Sequence, residues 1–130
     1  FFVPAHDYYN ALAYRAVFAK KVLAETFEKV DAVITPVWPY PLPTIEESDL
    51  GKNPEASEMV LQSGHNTRPV NYLGFPAVNL PIGFDTNGLP TSLQLIGAPF
   101  TEDKLLRIAR TVERELNFWS VEPQLSVLTK

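Results

Sequence analysis

Nucleophilic catalysis by a serine and a histidine is the first chemistry to test against this sequence. The chain of 130 residues has two histidines, His6 and His65, and no cysteine. Ser63 precedes His65 by two positions, but side chains two residues apart on a helix point in different directions. The sequence contains no G-x-S-x-G nucleophile elbow. We therefore interpret His65 as a surface residue and His6 as part of a helix start, not as catalytic bases.

Metal binding is the second chemistry that the polar residues suggest, and its support is weak. His6 and Asp7 have no third ligand nearby in the sequence. Glu46, Glu47 and Asp49 lack the regular spacing and the closing Glu of a calcium loop. The glycines are too widely spaced for a dinucleotide or phosphate loop. The acidic residues are therefore predicted to form a solvated loop.

The composition and net charge limit the kinds of partner that the chain is expected to bind. The chain carries a net charge of −4, with 45% hydrophobic and 20% charged residues, which is typical of a globular protein. A negative net charge without a basic stripe argues against a nucleic-acid surface. No stretch is long and apolar enough to span a bilayer, and the absence of cysteine is consistent with the cytosol. We predict a cytoplasmic protein that binds neither nucleic acid nor membrane.

The elements that position these residues begin with a long helix over residues 6–30. Its apolar residues recur at spacings of three and four, at Leu12, Ala16, Ala19, Leu23, Phe27 and Val30. Other aromatic and branched residues widen the apolar arc, and a helix of that kind is normally covered on more than one side. A buried strand is predicted over 31–36. The width of the apolar arc predicts that this helix has neighbours outside the 130 residues.

A hairpin and two further helices complete the predicted elements. Apolar and polar residues alternate over 78–84 and again after an Asn-Gly turn, which predicts two strands with one buried face. Pro81 and Pro90 have no N–H to donate, so both are expected at strand ends, bulges or an edge. Helices are predicted over 55–64 and after Thr101, which is expected to cap the second one. The fold class is therefore α/β, a mixed sheet with a β-hairpin flanked by helices.

The run over residues 67–100 carries more specific information. It reads TRPVNYLGFPAVNLPIGFDTNGLPTSLQLIGAPF and contains an N-x-x-G-x-P segment, a P-x-G-F strand end, an N-G-L-P turn and a Q-L-I-G strand. In this order the motifs resemble the C-terminal part of the amidase signature hydrolases. A helix followed by a D-x-x-x-x-P strand over 27–36 supports the match. The resemblance extends over about residues 11–115.

The resemblance implies hydrolysis of carboxamide C–N bonds to an acid plus ammonia or an amine. In this family a Ser-cis-Ser-Lys triad does the chemistry, with the nucleophile in a Gly/Ser-rich loop and the lysine further upstream. Neither the loop nor that lysine is recognisable in this sequence. The resemblance therefore implies a single partial domain over 1–130, without the catalytic N-terminal part and inert by itself. It implies a small-molecule amide as substrate, and no metal or organic cofactor.

Matching the family pattern residue by residue suggests a substrate-binding role for five positions. Leu61, Gly64, Arg68 and Asn71 fall before and within the N-x-x-G-x-P segment, which lies near the acyl-binding channel in relatives. A guanidinium at Arg68 would favour a carboxylate or polar substrate, although a surface or helix-capping role fits equally well. Trp38, just after the strand, is a further candidate for the cleft wall, and core packing is an equal alternative for it.

Two alternatives to a stand-alone amidase stay open. Within the same family, the chain could be part of the A subunit of a tRNA-dependent amidotransferase, which works with partner subunits. The other alternative is a non-catalytic binding or assembly domain that uses the W-P-Y-P-L-P segment or the apolar helix face to bind a partner. Because the long helix has apolar residues on several sides, the isolated 130 residues are predicted to self-associate.

Overall fold

The computed structural model describes residues 2–121. Five α-helices and three strands follow each other in the order α1, β1, α2, α3, α4, β2, β3, α5. Their bounds are α1 Ala5–Val22, β1 Val33–Pro36, α2 Ile45–Ser48, α3 Ala56–Ser63, α4 Arg68–Leu73, β2 Ala77–Phe84, β3 Pro90–Ile96 and α5 Glu102–Leu116. A π-helical segment, Leu23–Phe27, extends α1, and a 3-10 turn, Phe118–Ser120, follows α5. The α/β class with a hairpin flanked by helices is confirmed.

The sheet has the strand order β1-β3-β2. Both pairings are antiparallel, so residues 2–121 do not by themselves form the mixed sheet predicted from the sequence. β1 pairs only with β3 and is an edge strand, with Ile34 64% exposed. The prediction of a buried strand after the long helix was therefore wrong about burial. A short apolar run indicates a strand, but its burial depends on which elements cover it.

The β2–β3 hairpin follows the local prediction closely. The Asp85 carboxylate accepts hydrogen bonds from the backbone N–H groups of Asn87 and Leu89, both at 2.8 Å. Gly88 has φ +78°, a left-handed conformation that glycine adopts without steric cost. Pro81 lies beside a register shift on the edge strand β2, and Pro90 is the first residue of β3. The expected positions of both prolines are confirmed.

Two apolar clusters lie on opposite sides of the sheet. On one side α5 packs against the hairpin, with Leu80, Leu95, Leu105 and Ala109 buried together. On the other side α4 and the C-terminal part of α1 enclose Val70, Phe75 and Ile96, contacted by Ala19, Val22, Leu23 and Phe27. Successive residues of β3 alternate between these sides, which is why one strand serves both clusters.

The long helix differs from its prediction in length and in cover. It is α-helical only to Val22, and its last turn before the strand is π-helical. None of its residues in Ala5–Val22 is buried. Tyr14, Val17 and Phe18, at helical spacings of three and four, form an exposed apolar surface that we call the outer face of α1.

The start of α5 corrects another detail. Thr101 occupies the N-cap position, but its side chain makes no capping hydrogen bond. Its hydroxyl instead donates to the carbonyl oxygen of Ala98 at 2.8 Å. The predicted side-chain cap was wrong because this hydroxyl stabilises the preceding turn. Glu102 and Asp103 still place negative charge in the first turn, where the helix dipole favours it.

Candidate substrate-binding region

A cavity of about 350 Å³ lies between the extended segment that follows β1 and the helices α2 and α3. It is lined by Trp38, Tyr40, Pro41, Leu42, Pro43, Glu47, Met59 and Gln62. The lining is apolar and aromatic, with one carboxylate and one amide. This composition is usual for a small-molecule pocket, in which a few polar groups orient a largely apolar ligand.

On the α2 side of this cavity, a capping box between Thr44 and Glu47 fixes the lining residue Glu47. The backbone N–H of Glu47 donates to the Thr44 hydroxyl at 3.2 Å. In return the Glu47 carboxylate accepts from the backbone N–H of Thr44 at 2.7 Å and from its hydroxyl at 3.0 Å. These bonds, the backbone one first, lower the pKa of the Glu47 carboxyl below its ordinary value. The cavity therefore carries a negative charge at neutral pH.

Trp38 lies at the cavity wall with its indole partly buried. Its Nε1–H donates to the carbonyl oxygen of Pro41 at 3.1 Å, which folds the proline-rich segment back on itself. The indole thus has its polar atom satisfied locally and its ring among the cavity lining. Both sequence-based interpretations of Trp38, packing and wall, are compatible with this position.

Arg68 caps the end of α3. Its Nη2 donates to the carbonyl oxygen of Val60 at 3.2 Å and also to that of Leu61. The last carbonyls of a helix have no partner within the helix, and a guanidinium there also complements the helix dipole. The helix-capping alternative therefore describes what Arg68 does in this structure. Recognition of a carboxylate by Arg68 stays a prediction.

The other predicted residues surround Arg68. Its side chain lies across Gly64, and Leu61 is 61% exposed one turn before that glycine. Asn71 is an exposed residue on α4, three positions after Arg68. These four residues thus belong to one region at the α3–α4 junction. None of them lines the cavity, which Trp38 shares instead with Met59 and Gln62 of α3.

A buried polar link that sequence reasoning missed joins this region to the sheet. The Gln94 side chain is 3% exposed, and its amide donates to the Thr35 hydroxyl at 3.2 Å and the Asn66 carbonyl oxygen at 3.3 Å. The Asn66 amide donates in turn to the carbonyl oxygen of Pro36 at 2.7 Å. The link fixes the α3–α4 turn to the end of β1. Alternation along β3 suggested only a polar face for Gln94.

The candidate nucleophile and base are not assembled. The Ser63 hydroxyl donates to the carbonyl oxygen of Val60 at 2.6 Å, while His65 is exposed. Within residues 2–121 no group of three or more His, Asp or Glu side chains could hold a metal ion. No helix in that part of the chain is long and apolar enough to cross a membrane.

Comparison with known proteins assigns the chain to a family. The family model described as Amidase matches residues 3–106. The chain belongs to the amidase family. The resemblance first noted in the run over 67–100 is thereby confirmed, and it extends to the long helix and to α5.

Individual relatives agree with this assignment. The chain is 37% identical to the A subunit of glutamyl-tRNA(Gln) amidotransferase of Halothermothrix orenii over 128 residues, which is 95% of this chain and 26% of that protein. It is 41% identical to fatty acid amide hydrolase of Medicago truncatula over 93 residues, which is 69% of this chain and 15% of that protein. The chain thus spans about a quarter or less of the length of these curated relatives.

Solved structures show the same fold. The structure of 6-aminohexanoate cyclic dimer hydrolase complexed with substrate matches 85% of this amidase-family chain, with a TM-score of 0.73 and 32% identity. The A subunit of glutamyl-tRNA(Gln) amidotransferase from Thermotoga maritima matches 82% of it, with a TM-score of 0.66 and 32% identity. The chain covers 24% and 22% of those two proteins.

Proposed function

We propose that this chain is the C-terminal segment of an amidase that hydrolyses carboxamide C–N bonds. The observation that carries the proposal is the amidase match over residues 3–106. In the reaction a serine oxygen attacks the amide carbonyl carbon, the C–N bond breaks, and the nitrogen leaves with a proton as ammonia or an amine. Water then hydrolyses the acyl-enzyme to the acid. The substrate is a small-molecule amide.

The catalytic residues are proposed to lie N-terminal to this partial domain, residues 1–130. The share of the relatives that the chain spans, 26% and 15%, leaves room for a catalytic part of that kind. The Ser-cis-Ser-Lys triad expected from the family would be supplied there, without a metal or organic cofactor. We place the enzyme in the cytoplasm, in keeping with a chain that has no cysteine. By itself the chain would be catalytically inert.

In this proposal the α3–α4 junction and Trp38 form part of the substrate cleft. Leu61 presents an exposed apolar side chain, the side chain of Arg68 lies across Gly64, and Asn71 is exposed on α4. Arg68 uses Nη2 for the two helix carbonyls, which leaves the donors on Nη1 and Nε for a substrate carboxylate or carbonyl. Arg68 would then both cap α3 and bind the substrate, so the position of this helix end would affect substrate recognition.

The first test is the mass of the native protein that contains this sequence. A mass several-fold above 14.6 kDa supports an amidase with an upstream catalytic part. That protein is then expected to release ammonia or amine from carboxamides. A mature cellular product of 14.6 kDa without activity would overturn the proposal and favour the binding-domain alternative.

Kinetics of the native-length enzyme test the cleft wall. Leu61→Ala and Trp38→Ala are expected to raise KM at least threefold, equivalent to about 0.6 kcal/mol or more. Leu50→Ala is a matched control, because Leu50 is an equally exposed leucine outside this region. A KM unchanged by both substitutions would remove these residues from the cleft while leaving the amidase proposal intact.

Membership of a tRNA-dependent amidotransferase, as its A subunit, is the second candidate. It is favoured by the 37% identity to the amidotransferase relative over 95% of the chain, a longer match than that to fatty acid amide hydrolase. Partner subunits would then be required for transfer of ammonia to the aminoacyl-tRNA. Amide hydrolysis by the native-length protein, measured alone and together with proteins that co-purify with it, distinguishes a stand-alone amidase from an amidotransferase subunit. Full amide hydrolysis by the isolated protein supports the stand-alone enzyme.

Two further proposals concern partners. The isolated 130-residue chain is proposed to pair with a second copy through the outer face of α1, because that apolar surface has no cover within residues 2–121. In the longer enzyme the same face would pack against the preceding part of the protein. No nucleic-acid contact is proposed for this segment, whose net charge is −4.

A further inference from the structure

The cavity between the proline-rich segment and α3 has a character that amide hydrolysis does not require. Two aromatic side chains, Trp38 and Tyr40, line it together with Met59. Among residues 2–121, Glu47 is the only charged residue that lines it, and none of these lining residues is Lys, Arg or His. Its volume of about 350 Å³ lies at the lower end of the range for small-molecule pockets, which is ~300–1,000 Å³.

Glu47 can accept a ligand without leaving its structural position. Only Oε2 of its carboxylate receives the hydrogen bonds from Thr44, and no hydrogen bond within residues 2–121 uses Oε1. The capping box fixes the side chain, so the Glu47 carboxylate is held in place in the cavity lining before a ligand arrives. A fixed carboxylate next to aromatic faces attracts cations both by charge and by the ring quadrupole.

We propose that this cavity binds an organic ammonium ion with an apolar body, such as an alkylamine. The ammonium N–H would donate to Oε1 of Glu47, and the hydrocarbon would lie against Trp38, Met59 and Leu42. An anionic ligand is disfavoured because no Lys, Arg or His of the described part of the chain lines the cavity to pair with it. The cavity shares Trp38 with the proposed substrate cleft, but the proposal does not rest on the amidase activity, since it concerns equilibrium binding and not hydrolysis.

Matched probes test the charge preference. Binding of hexylammonium, 1-hexanol and hexanoate to the native-length protein is measured by calorimetry. The carbon chains are equal, so differences report the head group. Hexylammonium is expected to bind at least threefold more tightly than the alcohol, with no saturable binding of the carboxylate. Equal or tighter binding of hexanoate, or no saturable binding of hexylammonium, would overturn the proposal.

Variants locate the ligand in this cavity. Glu47→Gln is expected to weaken hexylammonium binding about two- to fivefold, the range for an exposed charge pair, and to leave hexanol binding unchanged. Gln is also a normal capping-box residue, so the fold is retained. Glu46→Gln, on the same helix but outside the cavity lining, is the control and should change neither. Identical effects of Glu46→Gln and Glu47→Gln would refute the assignment.

An NMR titration locates the bound ligand without relying on differences in affinity. The Met59 methyl group is 13C-labelled and assigned by its loss in Met59→Leu. Its resonance is expected to shift on titration with hexylammonium and to stay in place with hexanoate. A saturable binding isotherm without any shift at Met59 would place the ammonium site elsewhere and end the proposal. Loss of amide hydrolysis has no bearing on either measurement.

Discussion

The side chain of Arg68 crosses directly over Gly64. A Cβ at position 64 would lie 2.5 Å from Nε of Arg68, closer than any ordinary contact. Gly64 itself has φ −88° and ψ 7°, in the bridge region that L-residues also occupy, so its backbone does not require glycine. The space above Gly64 is therefore what admits the guanidinium to the end of α3, where it reaches the carbonyl oxygens of Val60 and Leu61.

This relationship predicts non-additive effects of two substitutions. Arg68→Ala should cost about 1 kcal/mol of unfolding free energy, because it removes hydrogen bonds that cap a helix. Gly64→Ala in the wild type should displace Arg68 and cost up to about 1 kcal/mol. In the Arg68→Ala background, which removes the side-chain atoms that approach position 64, the same alanine should stabilise by roughly 0.4–1 kcal/mol, since it only restricts the unfolded chain.

A double-mutant cycle measured by urea unfolding checks this coupling. The interaction energy is expected to be about 1 kcal/mol. Gly51→Ala is a control on a glycine whose added Cβ would approach only Asp49, at 3.2 Å. If Gly64→Ala has the same effect with and without Arg68, the close approach of the two residues does not carry the energy assigned to it.

The buried amide of Gln94 supports a second prediction. Gln94→Met keeps the size of the side chain but leaves the Asn66 carbonyl oxygen and the Thr35 hydroxyl without their donor. The expected loss of stability is about 1–3 kcal/mol, because both groups are partly buried and would lose a hydrogen bond from a buried donor. Asn79, opposite Gln94 in β2 but exposed, is the matched control, and Asn79→Leu should change stability by less than about 0.5 kcal/mol. A Gln94→Met protein as stable as the control would show that the link adds nothing.

Local patterns predicted the hairpin because its determinants lie within a few residues of each other. The turn needs one carboxylate at Asp85 and a left-handed glycine at Gly88, and both are close in the chain. Pro81 and Pro90 are confined to an edge or a strand end because proline has no backbone N–H to donate to a neighbouring strand. For such features the sequence contains the whole physical argument.

Other features depend on which elements meet in space. Ile34 is exposed because β1 has a neighbour on one side only, which no pattern within the strand records. The cap by Arg68 spans seven and eight residues and requires the turn at Gly64. Glu46 and Glu47 were predicted in a solvated loop but lie on the short helix α2. The T-x-x-E spacing is the signal that could have predicted its capping box, whereas the place of Glu47 at a cavity could not be predicted from spacing alone.

The ion pair between Asp31 and Lys104 supports a third prediction, on pH. Lys104 Nζ lies 2.8 Å from Asp31 Oδ1, and this hydrogen bond, together with the lysine charge, lowers the pKa of Asp31. The folded pKa is thus below the unfolded value of roughly 3.9, so the pair stabilises above that pH and loses its effect as pH falls through the folded pKa. Both side chains are largely exposed, so the contribution is small and screened by salt.

Lys104→Gln is expected to raise the pKa of Asp31, measured by 13C NMR titration of its carboxyl carbon. The stability difference between wild type and this variant should be larger near pH 7 than at a pH below the folded pKa of Asp31, where this carboxyl is protonated in both proteins. Lys20→Gln is the control, since Lys20 makes no ion pair within residues 2–121. An Asp31 titration unaltered by Lys104→Gln would contradict the assigned cause.

The outer face of α1 supports the last prediction. Tyr14, Val17 and Phe18 are all more than half exposed on a helix with no buried residue in Ala5–Val22, while the C-terminal end of that helix packs on Ile96 and Phe75. Burial of one such side chain is worth about 1.5–3 kcal/mol, so the isolated 130-residue chain should associate through this face. Sedimentation velocity over a concentration series measures the association.

Phe18→Lys should weaken that self-association about tenfold or more, because it places a charge where an aromatic ring would be buried. Ile45→Lys is the matched control, an equally drastic change at a side chain that is 89% exposed on α2. Retained folding of both variants is checked by circular dichroism. If Ile45→Lys disrupts association and Phe18→Lys does not, the contact lies on another surface. A wild-type chain that stays monomeric at every concentration would contradict the predicted self-association through the outer face of α1.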